Sequence, residues 1–473
     1  MALTVPVAEI VENSKNPLLG KHESWGRVLL GEIATIQNGF SFKSSQFTKS
    51  EGMPLIRIRD VGADYSDTNY VGDYDPAFVV KASDLLIGMD GDFNCARWRG
   101  PDGLLNQRVC RVILKSDIYH PKLLDYALPG YLKAINDMTS SVTVKHLSSK
   151  SIAEIPLPLP PKDQQKRIVA EIEKQFSRLD EAVANLKRVK ANLKRYKAAV
   201  LKAAVEGRLV ETESELARRE GRSYEAGAQL LQRILETRRS QWKGKGIYKE
   251  SAAPDTAGLP DLPEGWVWAT VGQLAAIKGG KRLPAGHAYA EERTPHPYIR
   301  VTDFENYGVR TSELQYLKEE TQKEIARYTI ASDDIYISIA GSIGLVGQVP
   351  VQLSGANLTE NAAKITQLEH VAPMYLVYWL SSPRGIGHIS DSTIATTQAK
   401  LALFRIEQIP VPFPPLPEQN RIVTEVDRHL SFRREAEAQV EINLRRAERL
   451  RQSILSWAFT GVRASSTIAH TTL

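Results

Sequence analysis

The sequence predicts an α/β (α+β) protein built from two copies of one unit, in which a mixed α/β domain is followed by a long helix. Three observations predict this fold class. The second half of the chain repeats the motifs of the first half in the same order. Each copy begins with short apolar runs separated by turn residues. Each copy ends in a long charged segment whose apolar residues recur at helical spacing.

The repeat is clearest at a proline-rich junction. Residues 155–171, IPLPLPPKDQQKRIVAE, recur as residues 409–425, IPVPFPPLPEQNRIVTE. The offset of 254 residues holds without a gap as far as Gly207 and Gly461. Trp25 and Trp266 are only 241 residues apart, so the insertions lie in the front part of each copy. A period this long exceeds the roughly 20–50 residues of solenoid repeats and indicates a duplicated domain.

The front parts, residues 21–155 and 262–409, predict the two mixed α/β domains. Short apolar runs bounded by Gly, Pro, Asp and Asn predict strands, and the clearest are 54–59, 85–87, 109–114, 335–339 and 362–366. Residues 123–132 and 374–380 predict short helices late in each front. The prolines between 156 and 161 exclude a central strand or a helix interior. They predict an extended connection into the next helix.

A heptad pattern predicts that the long helices pair as a coiled coil. In helix 163–207 two rows of residues seven apart form the seam, Ile172, Leu179, Leu186, Leu193 and Val200 with Gln175, Ala182, Val189, Tyr196 and Ala203. In the second copy Arg433 interrupts the seam. The alternative is that each helix packs on its own front domain. A helix of about 45 residues spans roughly 70 Å, however, which exceeds the width of such a domain.

Positive charge is concentrated in the first long helix. The chain carries a formal net charge of +6, and residues 162–208 hold 13 Lys or Arg against 6 Asp or Glu. This segment is either a solvated helix face or a surface close to a polyanion such as DNA. Between the copies, residues 209–262 predict a charged amphipathic helix around 225–242, followed by an exposed linker.

Composition argues against several classes of protein. The sequence has no apolar stretch of about 18 residues and no signal-like start, so we expect a cytoplasmic protein without a membrane segment. Cys95 and Cys110 are the two cysteines and form no Cys-x-x-Cys motif, which argues against a disulfide framework or a zinc–cysteine site.

Motifs for catalysis are missing from the sequence. It contains no Glu-x-Lys for a nuclease, no Asn/Asp-Pro-Pro-aromatic motif for methylation of an amino base, and no glycine-rich phosphate loop. The histidines show no metal-like pairing. We therefore expect a recognition scaffold with no catalytic, cofactor or metal site of its own.

Taken together, these motifs resemble the specificity subunit of type I restriction–modification systems. The resemblance covers nearly the whole chain. It rests on the paired junctions at 156–171 and 410–425, the helices that follow them, and the Trp-containing openings at 25–36 and 266–277. It implies two target recognition domains, related by an internal pseudo-two-fold duplication and joined by two long antiparallel coiled-coil helices.

The resemblance also implies a division of the chain into segments. These are an N-terminal arm (1–20), target recognition domain 1 (21–161), a central spacer helix (162–208), a bridging helix and linker (209–262), target recognition domain 2 (263–415), a C-terminal spacer helix (416–463) and a flexible tail (464–473). Each recognition domain is expected to read one half of a bipartite site in double-stranded DNA. The fronts differ at Phe40–Lys43 and Lys281–Pro284, so the half-sites should differ too.

The implied partners supply the chemistry. Two methyltransferase subunits would bind the spacer helices and methylate adenine with S-adenosylmethionine. Two further subunits would translocate and cleave DNA with ATP and Mg²⁺. Two alternatives stay open from the residues alone, a standalone duplicated DNA-modifying enzyme with unrecognised motifs and a coiled-coil adaptor without a DNA role.

Candidate DNA-binding residues follow from the chemistry of phosphate and base contacts. They are Lys43, Arg57, Arg97, Arg99 and Lys145 in the first domain, and Lys281, Arg282, Arg300, Gln398 and Lys400 in the second. Arg97 and Arg99 flank Trp98 in a predicted loop and are the favoured pair. Arg57 and Arg300 occupy matching places ahead of Asp60 and Asp303, and a structural ion pair is the alternative for both.

Overall fold

The computed structural model describes residues 5–14, 16–138, 145–244, 246–394 and 399–460. The chain divides into two compact units. Unit 1 comprises Met1–Lys187 and Glu441–Leu473, and unit 2 comprises Arg188–Val440. Each unit therefore contains one front domain and a part of each long helix. The predicted tail, 464–473, lies outside the described residues.

Unit 1 is a mixed α/β structure. Its strands are β1 (Gly26–Leu29), β2 (Ala34–Asn38), β3 (Phe47–Thr48), β4 (Met53–Ile56), β5 (Asn69–Tyr70), β6 (Val79–Val80), β7 (Leu85–Gly88), β8 (Cys95–Arg97), β9 (Gly103–Leu105), β10 (Val109–Leu114) and β11 (Pro156–Leu159). Its helices are α1 (Val7–Asn13), α2 (Leu30–Ile33), α3 (Pro121–Met138), α4 (Ser149–Ala153) and the start of α5 (Lys162–Val205).

Two sheets form the front domain of unit 1. The first has the strand order β2-β10-β7-β8 and is antiparallel throughout. The second has the order β3-β5-β4-β9-β6, and within it β4 and β9 run parallel. The predicted strand 54–59 ends early, at Ile56. The Asp60 carboxylate accepts the Arg57 N–H at 2.9 Å and turns the chain into a 3₁₀ helix.

The segment predicted as an N-terminal arm contributes to the main apolar core of unit 1. Val7, Ile10 and Val11 from α1 and Leu19 are buried in this core, together with the apolar face of α3. Val169 from α5 and Phe459 from the C-terminal helix are buried in the same cluster. The front domain is thus packed directly onto the helical part of its unit.

The proline-rich junction forms a strand in a two-stranded ribbon. β11 pairs antiparallel with β1, from Gly26↔Leu159 to Leu29↔Pro156. Leu30 N–H donates to the Ile155 carbonyl at 2.9 Å, and the alternation of antiparallel pairing then turns the nitrogens of Pro156 and Pro158 away from β1. The Arg27 guanidinium donates to the outward carbonyl of Pro156 at 2.7 Å. The prolines therefore lie on the open edge of a strand, whereas the sequence predicted an extended connection and excluded a central strand.

A buried glutamine attaches the first long helix to the front domain. The Gln165 side chain donates to the carbonyls of Pro160 and Ile118 at 2.8 and 2.9 Å, and it accepts the His120 N–H at 2.7 Å. Beside it, the Trp25 indole N–H donates to Gln164 Oε1 at 2.9 Å. These bonds fix the first turn of α5 against the segment that leads into α3.

Unit 2 repeats this architecture. Its strands are β12 (Val267–Thr270), β13 (Ala276–Gly279), β14 (Pro297–Ile299), β15 (Phe304–Glu305), β16 (Gly308–Val309), β17 (Gln315–Tyr316), β18 (Thr329–Ile330), β19 (Ile335–Ser338), β20 (Val346–Gln348), β21 (Ala356–Leu358), β22 (Ala362–Thr366), β23 (Thr393–Ile394), β24 (Lys400–Leu401) and β25 (Pro410–Phe413). Its helices are α6 (Glu213–Glu220), α7 (Gly227–Ser240), α8 (Val271–Leu274), α9 (Glu319–Glu324), α10 (Pro373–Leu380), α11 (Pro383–Asp391), α12 (Leu403–Glu407) and the start of α13 (Leu416–Thr460).

The two fronts share the order of eight strands in two sheets, and β3 of unit 1 is an additional edge strand without a counterpart in the matching sheet of unit 2. The order β13-β22-β19-β20 matches β2-β10-β7-β8, and β17-β14-β21-β18 matches β5-β4-β9-β6, including the parallel pair. The ribbon β12–β25 matches β1–β11, with Pro410 and Pro412 in the places of Pro156 and Pro158. The duplication that the sequence predicted is therefore a duplication of the fold.

Unit 2 also repeats the glutamine and tryptophan contacts. Gln419 donates to the Pro414 carbonyl and accepts the Ala372 N–H, both at 2.9 Å. The Trp266 indole N–H donates to the buried Glu418 at 2.9 Å. Burial raises the pKa of the Glu418 carboxyl, whereas hydrogen bonds from the Glu213 N–H and from Trp266 act in the opposite direction. Glu418 replaces Gln164 of the first copy, and the additional helix α6 supplies its second donor.

The predicted seam of the long helices is buried near the ends of α5 and more open in its middle. Ile172, Leu179 and Val200 are buried, whereas Val189 is 44% exposed. In unit 1, Ile172 and Phe176 pack against Ala458 of α13. In unit 2, the Tyr196 hydroxyl contacts His429 of α13. Within each unit the two helix segments run antiparallel.

Candidate nucleic-acid interface

In unit 1 the two sheets meet at a tight turn between β9 and β10. The Asn106 N–H donates to the Ile56 carbonyl at 3.2 Å, and the Gln107 N–H donates to the Phe40 carbonyl at 2.8 Å. A Cβ on Gly39 would lie 2.0 Å from the Asn106 carbonyl oxygen, so glycine is required at this close approach. The turn Asn106–Arg108 is therefore held rigidly by its neighbours.

Gln107 and Arg108 are exposed on this turn. Arg108 has φ 71°, a left-handed conformation that is uncommon for arginine. Its guanidinium lies beside Asp90, with Nε 3.5 Å from Oδ2, and beside His146, with Nη1 3.3 Å from Nδ1. The His146 ring nitrogen and Asp90 Oδ1 are 2.6 Å apart. These contacts hold the long Arg108 side chain in one place.

Lys145 belongs to the same region of unit 1. Its ammonium group donates to the Asn136 carbonyl at 2.9 Å and to Asn136 Oδ1 at 2.8 Å. The Lys145 carbonyl accepts the Gly91 N–H at 3.1 Å. The structure thus brings the predicted Lys145 close to the Asp90–His146–Arg108 cluster, although its charge is already engaged by α3.

The predicted loop around Trp98 is present only after Arg97, where residues 98–102 connect β8 to β9. Cys95–Arg97 is strand β8, and Trp98 is 1% exposed with its indole N–H donating to the Pro101 carbonyl at 2.7 Å. Arg97 Nε pairs with Asp125 at 2.7 Å, and Nη1 donates to the Ser83 carbonyl at 2.5 Å. Arg99 is exposed, and no partner for it is recorded in the described part of the chain. The two arginines therefore differ: Arg97 forms ion-pair and hydrogen-bond contacts within unit 1, whereas Arg99 is exposed on the surface.

Arg57 and Lys43 also differ in their surroundings. The Arg57 guanidinium pairs with Asp67 at 2.9 Å and contacts Thr68, rather than pairing with Asp60 as the sequence suggested. Its side chain is 25% exposed. Lys43 is exposed, close in the chain to Phe40, which is itself 51% exposed and in ring contact with Phe42 and Phe78.

Unit 2 has a turn of the same kind, Thr359–Asn361. The Thr359 N–H donates to the Ile299 carbonyl at 3.0 Å, as Asn106 does to Ile56. The Asn361 carbonyl accepts the Ile339 N–H at 2.8 Å, as the Arg108 carbonyl accepts Met89. The backbones of Lys400 and Ala340 form an isolated antiparallel β-bridge, which matches the β-bridge between His146 and Asp90 in unit 1.

A cavity of about 670 Å³ lies beside this second turn. Arg282, Arg300, Glu360 and Asn361 are among the residues that line it. Arg300 forms hydrogen bonds with Asp303 at 2.8 and 3.1 Å, which is the structural ion pair left open by the sequence. Arg282 is exposed, with Nε 3.9 Å from Glu360, and the Lys281 ammonium group lies 5.8 Å from the ring centroid of Tyr328. Gln398 lies outside the described residues.

Comparison with known proteins decides the family. The family model for the "Type I restriction modification DNA specificity domain" matches residues 22–195 and 263–445, one match for each copy. The chain belongs to the family of type I restriction–modification specificity subunits. It is 34% identical to the type I restriction enzyme EcoBI specificity subunit of Escherichia coli over 455 residues, which is 96% of this chain and 89% of that protein.

More distant members of the specificity-subunit family match over similar lengths. The EcoKI specificity subunit of Escherichia coli K12 is 22% identical over 461 residues, covering 93% of this chain and 89% of that protein. A chain from a solved structure of the type I R-M system has a TM-score of 0.64 at 17% identity and covers 93% of this chain and 99% of that one. This likeness supports the fold of two domains linked by long helices.

Arg97 provides a test of the framework role in this specificity subunit. Arg97→Ala removes a half-buried ion pair and leaves the Asp125 carboxylate short of donors, since its Oδ1 already has no partner among the described residues. We expect a loss of about 1–3 kcal/mol in the free energy of unfolding of unit 1, with DNA preference unchanged. Denaturant titration of both variants and methylated-motif analysis would measure this. Arg99→Ala is the matched control, which should keep its stability and lower DNA affinity; the reverse pattern would contradict the assignment.

Arg108 and Gln107 are candidate DNA-binding residues that were not predicted from the sequence. One signal was available in the sequence. Aligning Val109 with Ala362 places Asn106-Gln107-Arg108 opposite Thr359-Glu360-Asn361, at the end of matching strands. Polar residues that differ between the copies, beside a strand that recurs in both, indicate a variable surface on a repeated backbone. The left-handed conformation of Arg108 and its contact with Asp90 were not visible without the structure.

Proposed function

We propose that this specificity subunit carries no catalytic site of its own and directs adenine methylation or restriction by its partner subunits. Each front domain reads one half of a bipartite, asymmetric site in double-stranded DNA. The observation that carries this proposal is the repetition of one backbone topology with different side chains at the matching exposed turns. A repeated frame gives two equivalent ways of meeting DNA, and the different side chains give two different half-sites.

The differences between the fronts are of the kind that changes base preference. Phe40, Gln107 and Arg108 in unit 1 correspond to Lys281, Glu360 and Asn361 in unit 2. Arginine suits the acceptors of guanine, asparagine and glutamine suit adenine, and glutamate accepts from the amino group of cytosine. One half-site cannot satisfy both sets, so an asymmetric target is expected.

The partners and cofactors belong to the same proposal. We expect two methyltransferase subunits that bind S-adenosylmethionine and two restriction subunits that use ATP and Mg²⁺. The support is the absence of the corresponding motifs from this sequence, together with relatives that are named as specificity subunits of restriction enzymes. Within the described residues, no helix combines the length and the apolar character needed to cross a bilayer.

The direct test is methylome sequencing of cells that express this chain with its partner methyltransferase subunits. The expected result is adenine methylation at one bipartite motif with two different halves. Expression of the partner subunits without this chain is the control and should give no such motif. A motif with two identical halves, or the same motif without this chain, would contradict the proposal.

A biochemical prediction accompanies this test. The purified chain, mixed with S-adenosylmethionine and a DNA that carries the motif, should transfer no methyl group. Adding the methyltransferase subunits should produce methylation of that DNA. Incorporation of labelled methyl groups measures both reactions. Transfer by the chain alone would instead favour a standalone duplicated enzyme.

A further inference from the structure

We propose that the turn Asn106–Arg108 is the base-reading element of the first recognition domain, with Arg108 contacting guanine, and that Thr359–Asn361 is its counterpart in the second, with Asn361 contacting adenine. The inference rests on the proposed function and assigns it to particular residues. It also separates these turns from several of the other cations that lie on the same domains.

The backbone of both turns is rigid. A side chain that distinguishes bases must be held in position by its supporting residues. The backbone of the first turn is fixed by hydrogen bonds to Ile56, Phe40 and Met89, at 3.2, 2.8 and 2.8 Å. The second turn is fixed in the same way through Ile299 and Ile339, at 3.0 and 2.8 Å. Each turn joins the two sheets of its domain, so both sheets support it.

The Arg108 guanidinium is positioned by its neighbours and exposed. Its side chain is 56% exposed, yet Asp90, itself bound by His146 Nδ1 at 2.6 Å, positions it through Nε. No partner for Nη2 is recorded among the described residues. An oriented guanidinium with free N–H groups matches the two acceptors that guanine presents in the major groove. Asn361 is likewise exposed, and its amide matches the donor and acceptor of adenine.

The backbone conformation at Arg108 is unfavourable for arginine. A left-handed φ of 71° disfavours arginine relative to glycine, and the surrounding structure must stabilise it. An arginine kept at an exposed position where glycine would be easier suggests that its side chain is needed there. Ser83, with φ 75°, is a second residue other than glycine at positive φ in the same unit.

Three of the predicted arginines, Arg57, Arg97 and Arg300, are less suited to base contacts. Arg97 and Arg300 are each bound by a carboxylate at 2.7–2.8 Å, and Arg57 by one at 2.9 Å. A base contact from any of them would first have to break that ion pair. Arg108 Nε lies 3.5 Å from the Asp90 carboxylate, and no partner for Nη2 is recorded in the described ranges, so Arg108 can bind a base without losing its contact with Asp90.

The test uses the full complex with its methyltransferase subunits and reads the methylated motif by sequencing. Arg108→Gly should relax one guanine-containing position of one half-site, with a loss of discrimination of about 5- to 150-fold. Asn361→Ala should relax an adenine-containing position in the other half-site to a similar extent. Ser83→Gly is the matched control for a glycine at positive φ and should leave the motif unchanged.

The stability of the Arg108→Gly variant distinguishes a role of Arg108 in base recognition from a role in stabilising the fold. Its melting temperature should equal or exceed that of the wild type, because glycine suits the left-handed conformation and the lost ion pair is exposed. Relaxed specificity in a stable variant supports the inference. If the wild-type complex yields a bipartite motif but both variants keep it unchanged, the inference is wrong and the proposed function stands. If the wild type yields no bipartite motif, the proposed function itself fails.

Discussion

Replacing residues 1–161 by the corresponding domain of another specificity subunit is expected to change one half of the methylated motif and to leave the other half unchanged. The exchanged segment carries every strand of the first front, its exposed turn Asn106–Arg108 and the cluster around His146. The second front keeps its own turn and its own supporting sheets. Methylome sequencing of the hybrid with its partner subunits measures both halves at once.

The boundaries of this exchange follow from the packing of unit 1. A segment limited to residues 21–155 would separate β1 from β11 and α1 from the core that it helps to fill. That shorter hybrid should therefore fold poorly, and it serves as the control for the boundary. A change in both halves of the motif, in a hybrid that folds, would show that the fronts do not read independently.

Substitution of either buried junction glutamine is expected to destabilise its own unit. Gln165→Leu leaves the His120 N–H and two carbonyls without partners in a buried site, at a cost of about 3–5 kcal/mol in the free energy of unfolding. Gln419→Leu removes two such bonds and should cost about 2–4 kcal/mol. Hydrogen exchange resolves the effect along the chain, so each variant should show faster exchange in one unit.

The neighbouring exposed residues provide controls for this experiment. Lys166→Ala and Asn420→Ala each change a residue beside one of the glutamines, on the exposed side of its helix. Both should exchange at the wild-type rate. Faster exchange spread equally over both units in the Gln165 variant would indicate that the units do not open separately. Unchanged exchange in both glutamine variants would mean that these bonds contribute little.

Much of the fold was predictable because the same motifs occur in both halves of the sequence. The strands 109–114 and 362–366 were bounded correctly, since each is a long apolar run that ends at turn residues. The two-residue strands of the second sheet were not predicted, because strands such as β5 and β6 are too short to show a period. Helix α6 was also missed, although Thr212 and Glu215 form a capping box that the sequence displays.

The candidate interface was less predictable than the fold. Whether an arginine is free or bound depends on carboxylates far along the chain, as with Arg97 and Asp125, 28 residues apart. Trp98 lies in a loop, as predicted, but the burial of its ring was not predicted because it depends on the packing of two sheets. Lys281 and Arg282 are exposed on the second front, where the sequence predicted contacts with DNA; their role in binding stays a prediction.

The prolines in β11 and β25 also affect the tendency of this chain to aggregate. An unpaired strand edge is a template on which another chain can add a strand and begin to aggregate. In β11 and β25 the outward nitrogens belong to prolines, which have no hydrogen to donate. The outward carbonyls of Pro156 and Pro412 are already occupied by Arg27 and by the Tyr375 hydroxyl. This edge therefore offers neither donors nor free acceptors at these positions, and the subunit can await its partners without self-associating there.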